Sequence, residues 1–253
     1  MFWAWYGIYA APSGSPNSHC KLQRDQAWEI FPYPCVGEFA FLDFNLCHRP
    51  SYPKIVARLR SDPSARHLDV GCCVGQDIRK LVLDGCPPEK VTALELEQKF
   101  IDVGFDLFKD KEKIRKTRFI SANILTATDV LREFEGKMTS IHMGMVFHLF
   151  DREEQKTVLS NLLRLLVGDG RGILLGHCVA HADGVMQPAM MGKMTLRHNL
   201  DTWGNLCKEV EEEMGVKIKT WEDLVPFKTE AKYDSWRDDG KRILAFEVTK
   251  LEQ

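Results

Sequence analysis

The feature that most constrains this chain is a regular alternation of short β-rich runs and helical runs between residues 65 and 180. Parallel strands need a crossover between them, which is usually a helix, so this pattern predicts a parallel sheet covered by helices on both faces. After residue 180 the alternation stops. Two more strand-like runs, at 216–224 and 241–251, predict a C-terminal hairpin that contributes one antiparallel strand. We therefore predict an α/β fold with a seven-stranded, mostly parallel sheet.

The composition at the two ends of this region suggests its domain organisation. We expect an N-terminal extension at 1–27, with a Pro/Ser/Gly linker at 12–18, and one domain at 28–253. Proline and glycine interrupt the aromatic stretch after Trp28, which predicts an irregular segment with short extended pieces. Within the domain we expect a cap at 28–64, a core at 65–180, an inserted lid at 181–215 and the hairpin at 216–253.

Charge and cysteine usage exclude several classes of protein. The net charge is −2 and no basic face is evident, which argues against nucleic acid as a partner. No stretch approaches the roughly 20 apolar residues of a membrane helix, so we expect no membrane partner. The eight cysteines form no C-x-x-C pair and no zinc-type spacing, which favours reduced thiols in a cytoplasmic protein without a bound metal.

A glycine turn follows the first predicted strand. The strand ends at Asp69, Gly71 and Gly75 form the turn, and a helix begins near Gln76. Glycines allow a ligand to approach the backbone closely, and the helix N-terminus offers free N–H groups. An acid at this position repels a diphosphate and attracts an amine. The turn therefore favours the ammonium group of a methionine moiety.

Two more polar residues end the next strands. Glu95 lies 20 residues after Gly75 (95 − 75), where a carboxylate can accept both ribose hydroxyls of an adenosine. Asn123 follows the third strand and is placed to meet an adenine edge. A nicotinamide-dependent dehydrogenase fits poorly because no G-x-G-x-x-G is present. The predicted donor-binding residues are Tyr33, Asp69, Gly71, Cys72, Gly75, Glu95, Leu96, Asn123 and Ile124.

These motifs resemble those of class I S-adenosylmethionine-dependent methyltransferases. The stretches FPYPCVGEFAFLDFNL, LDVGCCVGQDIRKLVLDGCP, FHLFDREEQ and RHNLDTW are similar to fungal meroterpenoid O-methyltransferases of the terretonin and austinol type. The resemblance implies a Rossmann-like fold, S-adenosylmethionine as cofactor, and methylation of a carboxylate on a farnesylated, polyketide-derived aromatic acid without a metal. Cys73 replaces a glycine common in the superfamily, and Asn123 replaces an acid.

The acceptor side is less defined. After the fourth strand there is no NPPY-type tetrapeptide, which is typical of nitrogen methylation. There is also no acidic pair that could bind Mg²⁺. Oxygen methylation without a metal is therefore the predicted reaction. We expect His148 to be the catalytic residue and His142 to pack inside its strand. A phenol acceptor needs a general base, whereas a carboxylate is already ionised, and we favour the carboxylate. The expected substrate-binding residues are Phe31, Phe147, Met190, Met194, Arg197 and His198.

Alternatives stay open at this point. A methyltransferase fold can host a cyclase or pericyclase that binds the cofactor without methyl transfer, because fold does not fix function. A binding protein that kept the fold without activity is a second alternative. We expect a small-molecule substrate. The sequence leaves open whether the protein forms a homodimer.

Overall fold

The computed structural model describes residues 18–126, 128–189, 192–227 and 239–251. The strands in this part of the chain are β1 (His67–Val70), β2 (Val91–Glu95), β3 (Arg118–Ser121), β4 (Ser140–Gly144), β5 (Gly172–His181), β6 (Val185–Pro188), β7 (Met194–Arg197), β8 (Ile218–Pro226) and β9 (Lys241–Lys250). The α-helices are α1 (Ser18–Ile30), α2 (Pro34–Gly37), α3 (Tyr52–Ser61), α4 (Gln76–Leu83), α5 (Gln98–Phe108), α6 (Thr128–Arg132), α7 (Arg152–Leu165) and α8 (Leu200–Met214).

The main sheet has seven strands in the order β3-β2-β1-β4-β5-β9-β8. Strands β1 to β5 pair in parallel. Strand β9 runs antiparallel to both of its neighbours, β5 and β8, so it alone opposes the other strands of this sheet. The predicted seven-stranded sheet with one reversed strand from the C-terminal hairpin is therefore confirmed.

Alternate residues of the strands pack on two different helical layers. On one face, Leu68, Ile141 and Leu174 are buried against α7 and α8 in the largest apolar cluster. On the other face, Ala93 and Leu175 pack on α3 and α4. Side chains alternate between the faces of a strand. Asp69 of β1 and His142 of β4 are register partners, and they share the second face with Ala93 and Leu175.

Local sequence signals explain where the two long helices begin. The Asp151 side chain accepts a hydrogen bond from the Glu154 amide at 2.9 Å, and the Glu154 side chain accepts one from the Asp151 amide at 3.1 Å. Asn199 and Thr202 form the same reciprocal pair at the start of α8. These capping boxes satisfy amides that the helix itself leaves free, and they fix the entry to α7 directly after the loop that follows β4.

The N-terminal segment differs from its predicted organisation. Helix α1 spans the expected boundary at 27/28 and packs on α5, with Cys20 and Ala27 buried beside Phe100. Short helical turns, rather than extended pieces, follow α1. Pro34 is the first residue of α2. A residue at this position donates no backbone hydrogen bond within the helix, so proline can start the helix instead of preventing it. Most of the predicted linker at 12–18 lies outside the described residues.

The segment expected to form a lid contains two distinct structures. Strands β6 and β7 pair with each other in antiparallel orientation, with Val185 opposite Arg197. Helix α8 belongs to the core, because Trp203 is completely buried against the main sheet. In the described residues no helix combines the length and apolar character needed to cross a membrane. None of the eight cysteines, all of which lie in the described residues, forms a disulfide.

Candidate active site

The glycine turn after β1 is built by close packing. The Gly71 and Cys72 amides donate hydrogen bonds to the Leu94 carbonyl at 2.8 and 3.2 Å. Gly71 has a φ of 70°, and a Cβ at this position would lie 2.3 Å from a methyl carbon of Val146, which follows β4. Gly75, with a φ of 74°, caps α4. These glycines are required by the conformation of the turn and by the contact between the turn and the loop after β4.

Glu95, the last residue of β2, connects this turn to the second strand. One oxygen of its carboxylate accepts a hydrogen bond from the Cys73 amide at 2.8 Å, and the other accepts one from the Glu97 amide at 3.2 Å. Burial raises the pKa of Glu95, opposed by these amide hydrogen bonds, and the charge of Asp69 raises it further. An ionised carboxylate has about four acceptor sites, so capacity remains for hydroxyl donors from a ligand.

The side of the site expected to hold adenine has an apolar and a polar element. Leu96 is 54% exposed, which is unusual for a leucine at the end of a buried strand and leaves an apolar surface for a ring. The Asn123 side-chain carbonyl accepts a hydrogen bond from the Leu125 amide at 2.9 Å, which orients its NH₂ group outward as a donor. Ile124, in contrast, is buried in the core, and its carbonyl accepts a hydrogen bond from the Asn161 side chain at 3.0 Å.

Asp69 is held by a residue that the sequence did not indicate. One oxygen of its buried carboxylate lies 2.8 Å from Nδ1 of His142, its register partner on β4. Burial lowers the pKa of His142, but the charge and hydrogen bond of Asp69 outweigh this effect and raise it. His142 was expected only to pack inside its strand. The signal available was positional, because β1 and β4 are neighbours in this topology and both residues lie mid-strand.

Tyr33, from the N-terminal segment, lies beside the donor residues. Its ring centroid is 4.3 Å from that of Phe31 and 6.2 Å from that of Phe100 on α5. Burial, followed by the charge of Glu95, raises the pKa of the Tyr33 phenol to about 12. The cap therefore brings Tyr33 near the carboxylate of Glu95. The ring of Phe31 packs against that of Tyr33 at an interplanar angle of 35°.

His148 lies in a short 3-10 turn (Phe147–Leu149) after β4. Its Nδ1 accepts a hydrogen bond of 3.4 Å from the Val179 amide, which places the proton of the neutral ring on Nε2. Burial, with the positive charges of Arg197 and Lys241, lowers the pKa of His148 to about 3. The ring is thus neutral near pH 7 and presents a donor rather than an acceptor.

Two of the expected substrate-binding residues are structural in this arrangement. Phe147 is buried in the core with its ring 5.3 Å from that of Trp203. His198 is also buried, and its two ring nitrogens pair with Thr202 at 3.2 Å and with Gln155 at 3.1 Å. Neither ring nitrogen of His198 is left for an acceptor, which corrects its expected role.

Two of the remaining candidates, Met194 and Arg197, are the first and last residues of β7. Arg197 donates to the His148 carbonyl at 3.1 Å and so lies next to the predicted catalytic turn. Met194 is 46% exposed on β7 and remains a candidate for an apolar acceptor surface. Met190 lies outside the described residues. Cys72 is buried, with its Sγ 3.7 Å from the Cys73 carbonyl, so its backbone rather than its thiol faces the turn.

The fold and these residues together define a class I methyltransferase site. The strand order, with one reversed strand next to β5, places the glycine turn and the ends of β2, β3 and β4 at one edge of the sheet. Ligands of open α/β sheets bind at this edge. The arrangement offers acids for an ammonium group and ribose hydroxyls, and the exposed Leu96 for an aromatic ring, so it fits S-adenosylmethionine. Within the described residues, no three His, Cys, Asp or Glu side chains are grouped as a metal site requires.

Comparison with known proteins identifies the family. Residues 12–42 match the meroterpenoid methyltransferase N-terminal domain, and residues 68–170 match the methyltransferase domain. The O-methyltransferase phiE of a fungal species is 34% identical over 93% of this chain and 83% of its own length. The asnovolin E/chermesin D methyltransferase nvfJ of Aspergillus novofumigatus is 36% identical over 83% of this chain and 76% of its own length. The chain belongs to the fungal S-adenosylmethionine-dependent methyltransferases that include these relatives, and its cofactor is S-adenosylmethionine.

Solved structures agree on the fold. The 1,6-didemethyltoxoflavin-N1-methyltransferase of Burkholderia thailandensis, with bound S-adenosylhomocysteine, superposes with a TM-score of 0.57 at 14% identity and covers 93% of this chain and 92% of its own. The [4+2]-cyclase SpnF superposes with a TM-score of 0.57 at 15% identity and covers 79% and 80%. A cyclase thus shares the fold, but phiE and nvfJ, both more than 30% identical to this chain, are methyltransferases.

Proposed function

We propose that this enzyme methylates a carboxylate oxygen of a small fungal metabolite. The observation that carries the proposal is the state of His148, whose Nδ1 accepts the Val179 amide and whose pKa is lowered to about 3. A phenol acceptor needs a base that takes its proton near neutral pH. His148, the predicted catalytic residue, is too weak a base for this role. A carboxylate acceptor needs no base.

The residues of the site have separable tasks in this reaction. Asp69 and Glu95 supply the buried acids that hold the ammonium and ribose groups of the donor, and Tyr33 closes over the turn. The Nε2–H group of His148 is available to donate a hydrogen bond to an acceptor oxygen. S-adenosylmethionine, when bound, supplies a methyl group on a sulfonium sulfur. The acceptor carboxylate forms the new C–O bond as the C–S bond breaks, which yields a methyl ester and S-adenosylhomocysteine with no proton transferred.

The relatives support the class of substrate. One of them is named for two metabolites, asnovolin E and chermesin D, and the N-terminal match is to a meroterpenoid methyltransferase domain. The half-exposed methionine of β7 suits an apolar terpenoid body, because methionine adapts to irregular apolar shapes. A cytoplasmic location is supported by the eight cysteines, none of which forms a disulfide.

The test is an assay with S-adenosylmethionine that carries a deuterated methyl group, together with a metabolite extract of the source organism, followed by mass spectrometry. We expect a labelled product that mild alkali hydrolyses back to the unlabelled acid, as a methyl ester requires. A labelled product that resists alkali would identify an ether and overturn the carboxylate assignment. A product isomeric with its substrate, without label, would instead indicate the cyclase alternative.

A further inference from the structure

The side chain of Arg79, near the start of α4, bonds to the backbone of the glycine turn. Its Nη1 donates hydrogen bonds to the carbonyl of Val74 at 2.6 Å and to that of Gly75 at 3.1 Å. A Cβ at Gly75 would lie 2.9 Å from the same nitrogen, so glycine leaves the room that this contact needs. The turn that precedes α4 is therefore held by a buried side chain of α4 itself.

Asp110, two residues after the end of α5, holds the guanidinium from the other side. Its two carboxylate oxygens accept hydrogen bonds from Nε and Nη2 of Arg79 at 2.8 and 3.0 Å. The guanidinium also lies over the ring of Phe108, 4.2 Å from its centroid. Bidentate pairing of this kind fixes the direction of the side chain as well as its distance. Arg79 thus joins the glycine turn to the end of α5.

Helix α5 also contacts the turn through its backbone. A Cβ at Gly104, in the middle of α5, would be 2.3 Å from the carbonyl oxygen of Val74. The same carbonyl that accepts the hydrogen bond from Arg79 is therefore packed against α5. The Val74 side chain is buried with residues of α1 and α5. The second half of the turn is fixed by side-chain and backbone contacts together.

Within the turn, Cys73 has a backbone conformation that its side chain disfavours. Its φ is 51°, in the left-handed region where glycine is preferred. A residue in such a conformation persists only where surrounding contacts impose it. The Cys73 amide donates a hydrogen bond to Glu95, and Arg79 bonds to the carbonyls of the next two residues. Contacts on both sides of the strained position thus oppose its relaxation.

We propose that Arg79, held by Asp110, is a positioning residue that keeps the glycine turn in the strained conformation that binds the methyl donor. The proposal rests on the assignment of this turn to donor binding. If the turn relaxed at Cys73, its amide would leave the carboxylate of Glu95, which is the group expected to accept the ribose hydroxyls. An ion pair that only joined two helices would change the stability of the fold and not the affinity for the donor.

The first measurement is calorimetric binding of S-adenosylhomocysteine to Arg79→Lys. This variant keeps a positive charge beside Asp110, but one amine cannot hold the carboxylate and both carbonyls in the same geometry. We expect the affinity to fall by about tenfold. Lys80→Gln is the matched control, because Lys80 is the next residue of α4, is also buried and is paired with Asp84. The control should bind as the wild type does, even if it melts at a lower temperature.

A second variant removes the ion pair without leaving a buried charge. Arg79→Met combined with Asp110→Leu replaces the pair by apolar side chains of similar size, an exchange that folded proteins often tolerate. It removes both side-chain hydrogen bonds to the turn carbonyls, so S-adenosylhomocysteine should bind about 10- to 100-fold more weakly. A cooperative thermal unfolding transition shows that this variant is folded.

Hydrogen exchange of the ligand-free protein measures the turn directly. The amides of residues 71–73 are all hydrogen-bonded in the structure. In Arg79→Lys, peptides that cover residues 70–76 should exchange faster, whereas peptides from β5 and α7 should exchange as in the wild type. Because no ligand is present, this measurement tests the support of the turn even if the donor binds elsewhere.

Cys73→Gly tests whether Arg79 opposes strain. Glycine adopts the conformation of the turn without strain, so donor binding should depend less on Arg79 when residue 73 is glycine. Added to Arg79→Lys, Cys73→Gly should restore most of the lost affinity, whereas alone it should change the affinity little. The difference between these two effects is the coupling of the two positions.

The proposal is overturned if Arg79→Lys and the apolar double variant bind S-adenosylhomocysteine as the wild type does, or if Lys80→Gln weakens binding equally. It also fails if exchange rises throughout the chain to the same extent, or if Cys73→Gly restores none of the affinity. Weak binding by Glu95→Gln beside normal binding by Arg79→Lys would leave the donor site in place and remove only the role of Arg79.

Discussion

Nδ1 of His142 lies 2.8 Å from the carboxylate of Asp69 across two adjacent parallel strands, and both side chains are buried. A buried carboxylate is costly unless a partner compensates its charge. His142 supplies that compensation, because Asp69 raises the pKa of the imidazole despite the opposing effect of burial. The pair links the donor-binding turn to the strand that leads to His148.

This pair predicts a pH dependence of stability. The folded-state pKa of His142 is raised above its ordinary value of 6.5, so its contribution to the free energy of unfolding is complete below pH 6.5 and is lost as pH rises through the folded-state pKa. The difference in unfolding free energy between wild type and His142→Gln should therefore shrink as pH increases above that value. Urea unfolding of both proteins at several pH values measures this difference. His48→Gln, which changes an exposed histidine, is the control. A difference that grows with pH would contradict the assignment.

Asp77 predicts a second, separate pH effect. Burial raises its pKa from 3.8 to about 6, so the folded protein binds a proton more tightly than the unfolded chain, and stability is lost as pH rises from about 4 to about 6. Asp77→Asn keeps a carbonyl to accept the amides of Asn45 and Leu46. Relative to wild type, the variant should gain on the order of 2–3 kcal/mol of stability between pH 4 and 7. If the unfolding free energies of the two proteins instead change with pH in the same way, the prediction is wrong.

Glu95 carries a prediction for donor binding. Glu95→Gln retains the side-chain shape and one carbonyl acceptor but removes the charge, so S-adenosylhomocysteine should bind more weakly by about 1–3 kcal/mol. Calorimetry measures the change. Glu133→Gln, which removes a surface carboxylate paired with Arg118, is the control and should bind normally. An unchanged affinity in Glu95→Gln would contradict the proposal that Glu95 binds the ribose hydroxyls of the donor.

Gly71 yields a prediction about packing rather than ligand contact. A side chain there has an unfavourable φ and meets Val146, so Gly71→Ala should destabilise the protein by roughly 2–4 kcal/mol. Val146→Ala in the same chain removes the clashing methyl groups and should recover part of that loss. Gly136→Ala is the matched control, since Gly136 has a φ of 65° and no atom lies within 4 Å of the place where its Cβ would be. Equal destabilisation at both glycines would show that packing against Val146 is irrelevant.

The sequence predicted the sheet correctly, and the proposed donor residues could be picked out with it, because both depend on local patterns. Short β-rich runs and the helices between them predict a mostly parallel sheet, and Asp69, Gly71 and Glu95 lie at or next to the carboxyl ends of β1 and β2, which are neighbours in that sheet. The partner of Asp69 was missed because the pairing depends on register between β1 and β4, and the two residues are 73 positions apart in the chain. His198 was misjudged for a related reason, since its hydrogen bond to Gln155 exists only after β7 docks on α7.

The last prediction concerns His148 and distinguishes the two kinds of acceptor. With its pKa lowered to about 3, the imidazole stays neutral over the working range, so kcat/KM should remain flat from about pH 6 to 9 for a carboxylate acceptor, whose own pKa is near 4. His148→Gln retains an N–H donor and should lose activity by about tenfold, through positioning alone.

A phenol acceptor with His148 as base gives a different result. The rate would then rise with pH through a titration of the imidazole, and His148→Gln would lose about 10²- to 10⁴-fold. For that to occur, Nδ1 or Nε2 must be free to accept a proton near pH 7, which requires the bond to the Val179 amide to break and the positive charge of Arg197 to move away. A pH–rate profile with one sigmoid step that disappears in His148→Gln would establish such a rearrangement, and the acceptor would then be a phenol.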